Sequence, residues 1–425
     1  MRVLVVGSGA REHAIVHALK RSPEVEDVYA APGNPGIAQA ADLLPLSADD
    51  IPALAEAAAD LRIDLTVVGP ELPLALGIAD EFSKRGLRLF GPSSVAAELE
   101  SSKVFAKDFC RRHQIATPEA IYAMTEEQAR EGVKRMGLPV VLKADGLAAG
   151  KGVLIPSSQE ELEEALSTFF HRKAFGEAGA KVLVEEFVVG TEVSFMAISD
   201  GKKALPLVTS RDYKKIGEGD AGPNTGGMGA FSPAMGLPKG FSRTIMDTVI
   251  TPVIRGMAAE GREYRGLLYA GLMLTEEGPK VLEFNCRFGD PETQAVLLRL
   301  EGSFAALVKS AADGQLAPGG LSWRREVVAC VVAAAHGYPG SPRKGDQITG
   351  IDDAMAQSAV TVYQAGTRLD GEKLMTSGGR VLSVCGRGPT LQSALKTAYG
   401  GLDAIHFDGM TYRRDIGADA VAREA

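Results

Sequence analysis

Continuous apolar runs alternate with helix-spaced apolar positions through the first hundred residues. Val3 to Val6 form one such run, closed by Gly7-Ser8-Gly9, and a helical pattern follows from about Arg11 to Lys20. Further strand runs fall at Val25 to Ala30, Leu65 to Val68 and Leu87 to Phe90. Apolar strands of this kind with helices between them predict a parallel sheet covered on both faces. A helix is expected from about Ser94 to His113, and Ala116-Thr117-Pro118 then breaks the chain.

The pattern changes beyond that break. Thr125 with Gln128 signals a helix start and Gly137 its end; Val140 to Lys143 and Val153 to Ile155 read as strands around a glycine-rich turn. Ser158 with Glu161 starts another helix, and Lys181 to Phe187 is a strand. Together these make a small α+β unit. Strand runs at Glu192 to Ile198, Leu268 to Leu274 and Lys280 to Asn285 belong to a larger region, and Leu316 to Leu321 reads as a linker. The last hundred residues return to strands at Val327 to Ala335, Val360 to Gln364 and Val381 to Arg387.

Composition narrows the class of protein. A net charge of −8 gives no electrostatic reason to expect a nucleic-acid partner. The longest apolar stretch, Val327 to Ala335, is far short of the roughly 20 residues of a spanning helix, so no membrane partner is expected. Cys110, Cys286, Cys330 and Cys385 are scattered without a CxxC pair, as expected for reduced thiols in a cytoplasmic protein. The 49 glycines exceed ordinary usage of about 7%, and their clusters mark where chemistry is to be sought.

Gly7-Ser8-Gly9-Ala10-Arg11-Glu12 begins like a dinucleotide fingerprint, but Glu12 replaces its third glycine and no acidic residue ends the second strand. A helix start with Arg11 beside it suits a phosphate-bearing substrate better. Gly146 to Gly152 resembles a Walker loop with the wrong spacing and with strands on both sides. It reads instead as a glycine hairpin whose Lys151 closes over nucleotide phosphates, with Lys143 on the entering strand. Val182 to Glu192 can offer backbone to an adenine edge and a carboxylate to a ribose. Gly222 to Pro233 reads as a long non-periodic loop, flanked by Arg211, Asp212, Lys214 and Lys215. In Lys280 to Glu292, a period of two puts Glu283, Asn285 and Arg287 on one face and Leu282, Phe284 and Cys286 on the other. A carboxylate and an amide oxygen side by side suit Mg²⁺, and Arg287 can clamp a carboxylate or a phosphoryl group. His13 and His17, at i and i+4, lack a third ligand for zinc.

In this order the segments resemble the ATP-grasp ligases, and among them the phosphoribosylamine–glycine ligases. The resemblance is carried by VVGSGAREHA ending at Ala14, APGNPG at 31–36, VGPE at 68–71, LKADGLAAGKGV at 142–153, GPNTGGMGAFSP at 222–233 and EFNCRFGDPET at 283–293. It implies an α/β and α+β multidomain chain: a Rossmann-like preATP-grasp domain (1–100), an ATP-grasp core (101–315) with a mobile subdomain at about 119–190, and a mixed α/β C-terminal domain (322–425). It implies ATP as co-substrate, Mg²⁺ or Mn²⁺ as cofactor, and glycine and 5-phosphoribosylamine as substrates of a cytoplasmic monomer. Residue by residue, Lys103, Lys143, Gly150, Lys151 and Gly152 would meet the ATP phosphates. Glu185, Glu186, Phe187 and Val188 would meet the adenine and Glu192 the ribose, while Glu283 and Asn285 would hold the metal. Asp212, Arg287 and Asp290 are expected at the glycine end, and Gly9, Arg11, Asn34, Glu71, Gly227 and Met228 at the remaining substrate sites. The strand Tyr269 to Leu274 carries no carboxylate, where related enzymes often place a further metal ligand.

The implied chemistry is attack of the glycine carboxylate on the γ-phosphate of ATP, then attack of the amine on glycyl phosphate. Arg287, Lys143 and Lys151 would carry the catalytic charge, and Arg287→Ala is expected to lower kcat/KM with little loss of stability. Two other readings remain open at this point: a different ATP-grasp ligase or carboxylase, and a sensor that binds ATP without turnover.

Overall fold

The structure is a computed structural model and describes residues 1–147, 152–317 and 321–424. A parallel five-stranded sheet opens the chain, in the order Asp42–Leu43, Asp27–Pro32, Arg2–Gly7, Leu65–Val68, Leu89–Phe90. Its central strand is apolar throughout because both faces are covered. Val3 and Val5 pack in one core with Ile15 and Val16, while Leu4 and Val6 pack in another with Leu54 and Ala58. Each such side chain contributes on the order of 1.5–3 kcal/mol by leaving water.

Two details differ from the sequence expectation. The second strand starts at Asp27, because Val25 donates its N–H to Ser22 O in a turn and Arg2 pairs with Asp27. The expected helix from Ser94 to His113 is two helices, Ser94–Ser101 and Lys103–Arg112. Ser102 breaks it with extended backbone (φ −131°, ψ 111°), and its side chain accepts from Phe105 N to cap the second helix.

The α+β unit forms an antiparallel sheet ordered Ala120–Ala123, Val182–Glu186, Val140–Ala144, Val153–Leu154. Both helix starts lie where the sequence puts them: Thr125 accepts from Gln128 N and Ser158 from Glu161 N. Its core, with Val133, Leu142, Leu166, Phe169 and Val184, is a cluster separate from the others among the described residues.

The third sheet runs Ala204–Pro206, Thr191–Asp200, Arg265–Thr275, Gly278–Asn285. Met196, Ile198 and Leu267 join the core of the first sheet, so the two sheets share one hydrophobic layer. The last sheet crosses the expected boundary. Arg211–Asp212 and Gly229–Ser232 pair into it beside Val327–Ala334, Arg380–Gly388 and Val360–Gln364. The segment 222–233, expected to be a loop, therefore contributes two strands: Gly229–Ser232, and the end of Ala221–Asn224, which pairs with Lys215–Gly217. Cys330 and Cys385, far apart in sequence, face each other across two strands of this sheet as buried free thiols.

Candidate active site

A cleft of about 660 Å³ lies where the first three sheets meet the 211–226 segment. Lys103 is the first residue of its helix because Ser102 breaks the preceding one, and its ammonium donates to Gly146 O at 2.8 Å. Burial, with Lys143 adding to it, lowers the Lys103 pKa. Lys143 comes from the strand Val140–Ala144 and donates to Glu185 Oε1 (2.7 Å) and Leu282 O (3.0 Å). Glu186, Phe187 and Val188 continue the adjacent strand along the cleft wall, with Phe187 39% exposed. Gly152 and Glu192 also line the cleft, whereas Gly150 and Lys151 lie outside the described residues.

Glu283 and Asn285 share the open face of the strand Gly278–Asn285. The alternation expected around them is interrupted. A bulge opposite Gly271 and Leu272 puts Val281, rather than Leu282, in the core with Phe284 and Cys286. Lys214 Nζ lies 3.1 Å from Glu283 Oε1, and its charge, against burial, lowers the Glu283 pKa to about 2. The pair thus offers an ionised carboxylate and an amide oxygen, hard donors that fit a cation completed by phosphate and water. Among the described residues no cluster of three or more His, Cys, Asp or Glu is placed to hold a metal ion.

Arg287 sits between two carboxylates. Its Nε is 3.2 Å from Glu71 Oε2 and its Nη2 3.2 Å from Glu100 Oε1, with Asn285 Oδ1 at 3.3 Å. Glu100 also accepts from Cys286 N at 2.7 Å, and burial pushes its carboxyl above the usual range. Asp212 is raised to about 8, first by burial, with Lys214 opposing and Glu292, Glu192 and Glu283 reinforcing. Ser194 Oγ lies 3.4 Å from Asp212 Oδ1 and 3.2 Å from Glu292 Oε1, and receives the Tyr269 hydroxyl at 3.0 Å.

A second cavity of about 250 Å³ adjoins the first, and Asp290 and Arg380 line both. Its floor is the first turn, Ser8-Gly9-Ala10, and its far side is Ala365-Gly366 with Ser383. Arg380 Nη2 holds Asp290 Oδ2 at 2.8 Å. The Gly9 N–H, expected to be free for an anion, is taken by Glu12 Oε2 at 2.5 Å. The other Glu12 oxygen accepts from Arg11 Nε at 2.6 Å, while Arg11 itself lines the larger cleft with Glu71.

Three expected substrate residues stand behind these walls. Asn34 is 4% exposed, with Nδ2 donating to Ser8 O and Gln364 O and Oδ1 accepting from Ile37 N. Met228 is wholly buried, its N–H and C=O used by Tyr213 and Val332. Gly227, at φ 112°, packs against Pro291, where a side chain would collide. His13 and His17 pair with the Gln364 N–H and the Tyr363 hydroxyl, a packing role.

The structure adds Lys107, Glu100, Lys214 and Arg380 to the cleft. Lys214 and its neighbours are visible in the sequence as mixed charge beside the glycine segment. Lys107 and Glu100 lie in helices, where a charged residue gives no sign of facing inward.

Comparison with known proteins shows the family of the chain. Residues 1–100, 101–293 and 328–419 match the family models of the phosphoribosylglycinamide synthetase N, ATP-grasp (A) and C domains. The chain is 47% identical over 426 residues to a phosphoribosylamine–glycine ligase of Mesorhizobium japonicum, covering 100% of this chain and 99% of that one. It is 47% identical to one of Vibrio cholerae, again covering 100% and 99%. The crystal structure of the Thermotoga maritima phosphoribosylamine–glycine ligase superposes with a TM-score of 0.83 at 36% identity, over 98% of this chain and 100% of that one. The biotin carboxylase domain of a Hydrogenobacter thermophilus 2-oxoglutarate carboxylase, solved with MgADP and bicarbonate, shares the fold alone (TM-score 0.71, 16% identity, 96% and 91% covered). With all three domain models in order along it, the chain belongs to the phosphoribosylglycinamide synthetase family.

Proposed function

We propose that the larger cleft binds ATP and glycine and the smaller cavity the phosphoribosyl end of 5-phosphoribosylamine, and that the chain ligates the two. The observation that carries this reading is the convergence of Lys103, Lys143, Glu283, Asn285 and Arg287 on one cleft that opens beside a second, Arg380-bearing cavity. Lys103 and Lys143 bind the polyphosphate, and the strand through Glu186, Phe187 and Val188 receives the adenine, with Glu192 at the ribose. Glu283 and Asn285 hold Mg²⁺ or Mn²⁺, which supplies charge neutralisation at the transferring phosphate.

The glycine carboxylate attacks the γ-phosphorus, giving glycyl phosphate and ADP. The amine of phosphoribosylamine then attacks the acyl carbon, phosphate leaves, and the nitrogen loses a proton. Arg287 stabilises the charge on the transferring group, and Asp212 and Asp290 orient the amino ends. The reaction needs no covalent enzyme nucleophile. The chain divides at 1–100, 101–315 and 322–425, and the 119–190 subdomain, with its separate core, closes as a lid. The chain is read as a cytoplasmic monomer, and its free thiols suit that compartment. No helix among the described residues is long and apolar enough to cross a membrane.

ADP release is to be measured with MgATP, glycine and freshly generated phosphoribosylamine, then with each omitted. Turnover is expected only with all three; turnover independent of glycine would overturn the reading.

A further inference from the structure

Glu185 is almost inaccessible and lies where the lid strand Val182–Glu186 meets the helix Lys103–Arg112. Its two oxygens each face an ammonium: Lys143 Nζ at 2.7 Å and Lys107 Nζ at 2.7 Å. The two lysine side chains are 9% exposed and the glutamate side chain 1%. Lys107 is anchored from behind by the Thr117 hydroxyl and by Pro118 O at 3.1 Å, and Thr117 donates onward to Val281 O. Lys143 makes a further hydrogen bond to Leu282 O, at the edge of the cleft, and feels the charge of Glu283 there.

The charge count gives this triad its meaning. One carboxylate cannot neutralise two ammoniums, and Glu283, the other carboxylate that feels Lys143, is drawn first to Lys214, so the triad keeps a positive charge that an anion in the cleft would relieve. Lys107 bonds only to protein groups. Lys143 stands on the strand that enters the cleft, so the unbalanced charge is delivered there. We propose that Lys107 is a positioning residue for nucleotide binding: it neutralises Glu185 and thereby leaves the charge of Lys143 available to the polyphosphate. Without Lys107, Glu185 and Lys143 would form a neutral pair and the phosphate would lose a partner. Burial lowers the Lys107 pKa to about 8, and the attraction of Glu185 opposes that fall. The inference rests on the reading of the larger cleft as the ATP site.

The test is calorimetric titration of the full chain with Mg²⁺ and a non-hydrolysable ATP analogue, together with the KM for ATP in the ligation assay. Lys107→Met is expected to weaken analogue binding about tenfold or more, the loss of a charge-assisted contact. It should raise the KM for ATP while leaving kcat at saturating ATP within about twofold. Lys107→Arg should restore most of the affinity. In a Glu185→Gln background the charge to be neutralised is gone, so adding Lys107→Met should change affinity by less than about twofold. A tenfold loss in that background, or no loss in the single variant, would overturn the proposal in favour of a merely structural lysine. Should Lys107→Met fail to fold, comparing Glu185→Gln with Glu185→Gln/Lys107→Met still separates the two roles. Lys143→Met tests the underlying site: unchanged analogue binding there would refute the ATP cleft itself, a failure distinct from that of Lys107.

Discussion

Arg287→Ala separates catalysis from architecture at one residue. Its guanidinium bridges Glu71 and, on the helix Ser94–Ser101, Glu100, at 3.2 Å each, and the three side chains are 18%, 28% and 8% exposed. Removing it strands two carboxylates. Breaking a buried pair in this way costs about 3–5 kcal/mol; water reaches Glu71, so about 3 kcal/mol is expected near pH 8. The sequence alone suggests little loss of stability, and the structure changes that expectation. The pH dependence has a definite sign. Burial penalises the Glu71 charge, yet Arg287 and then Arg11 outweigh it and hold the group below its ordinary value. Its stabilisation is therefore present above the unfolded pKa, and that share of the deficit is constant above about pH 5. Glu100 is the opposite case: burial raises it and Arg287 opposes. Its native state holds extra protons, so stability falls as pH rises from the unfolded to the folded value. Without Arg287 the folded value climbs further, and this share of the deficit grows toward pH 8. Urea denaturation followed by circular dichroism at about pH 5.5 and about pH 8 reads both shares. Arg287→Ala/Glu100→Gln should recover the pH-dependent part. A deficit equal at both pH values, or no recovery in the double variant, would refute the reasoning.

Other consequences are as concrete. A methyl group at Gly69 would collide with Glu12 Oε1, so Gly69→Ala must displace the carboxylate that holds Gly9 N and Arg11. The KM for phosphoribosylamine should rise severalfold with the KM for ATP unchanged; equal KM values in the ADP-release assay would detach this turn from substrate binding. His13 and His17 are lowered to about 4, chiefly by burial. Both then contribute stability that is complete above about pH 6.5 and is lost as pH falls toward 4. His13→Gln should flatten the urea-denaturation profile across that window, and an unaltered profile would show that folding does not lower the His13 pKa.

What can be read from sequence follows physical lines. Val3 to Val6 is legible because a strand buried on both faces must be apolar at every position, and the Thr125 and Ser158 caps because a hydroxyl there replaces a missing helical partner. Glu283 and Asn285 are legible as polar residues on one face of the strand Gly278–Asn285, with Arg287 two residues beyond its end. The helix Ile51–Asp60 is not, since its alanine-rich repeat shows little contrast between faces. The bulge at Leu282 is hidden because it depends on the partner strand. Lys107 and Glu100 are hidden for a related reason. A charged residue on a short helix ordinarily faces water, and only the packing of another domain turns it into a buried ligand.

The same dependence on distant packing explains the segment 211–232. Its strands belong to the last sheet, and C-terminal side chains hold it from several sides. Arg413, almost fully buried, binds Asp220 at 2.7 Å and Lys215 O at 3.2 Å; Arg211 and Tyr213 both reach Asp419 at 2.6 Å. Arg380 donates to Gly226 O, and the Tyr338 hydroxyl accepts from Gly226 N. Gly229 lies so close to Cys330 O that a Cβ there would approach it to 2.8 Å. Asp212 and Lys214, placed in the cleft by this segment, are thus aimed by residues more than a hundred positions away. The glycines of GPNTGGMGAFSP serve that seating as much as any ligand: they let a strand lie close against its neighbour while Thr225, in the turn before it, holds Lys214 O and the Lys214 ammonium reaches Glu283. The lysine that pairs with Glu283 in the cleft is therefore carried on a segment seated by the C-terminal domain. The motif that marks the family most clearly is, for that reason, also the joint between its domains.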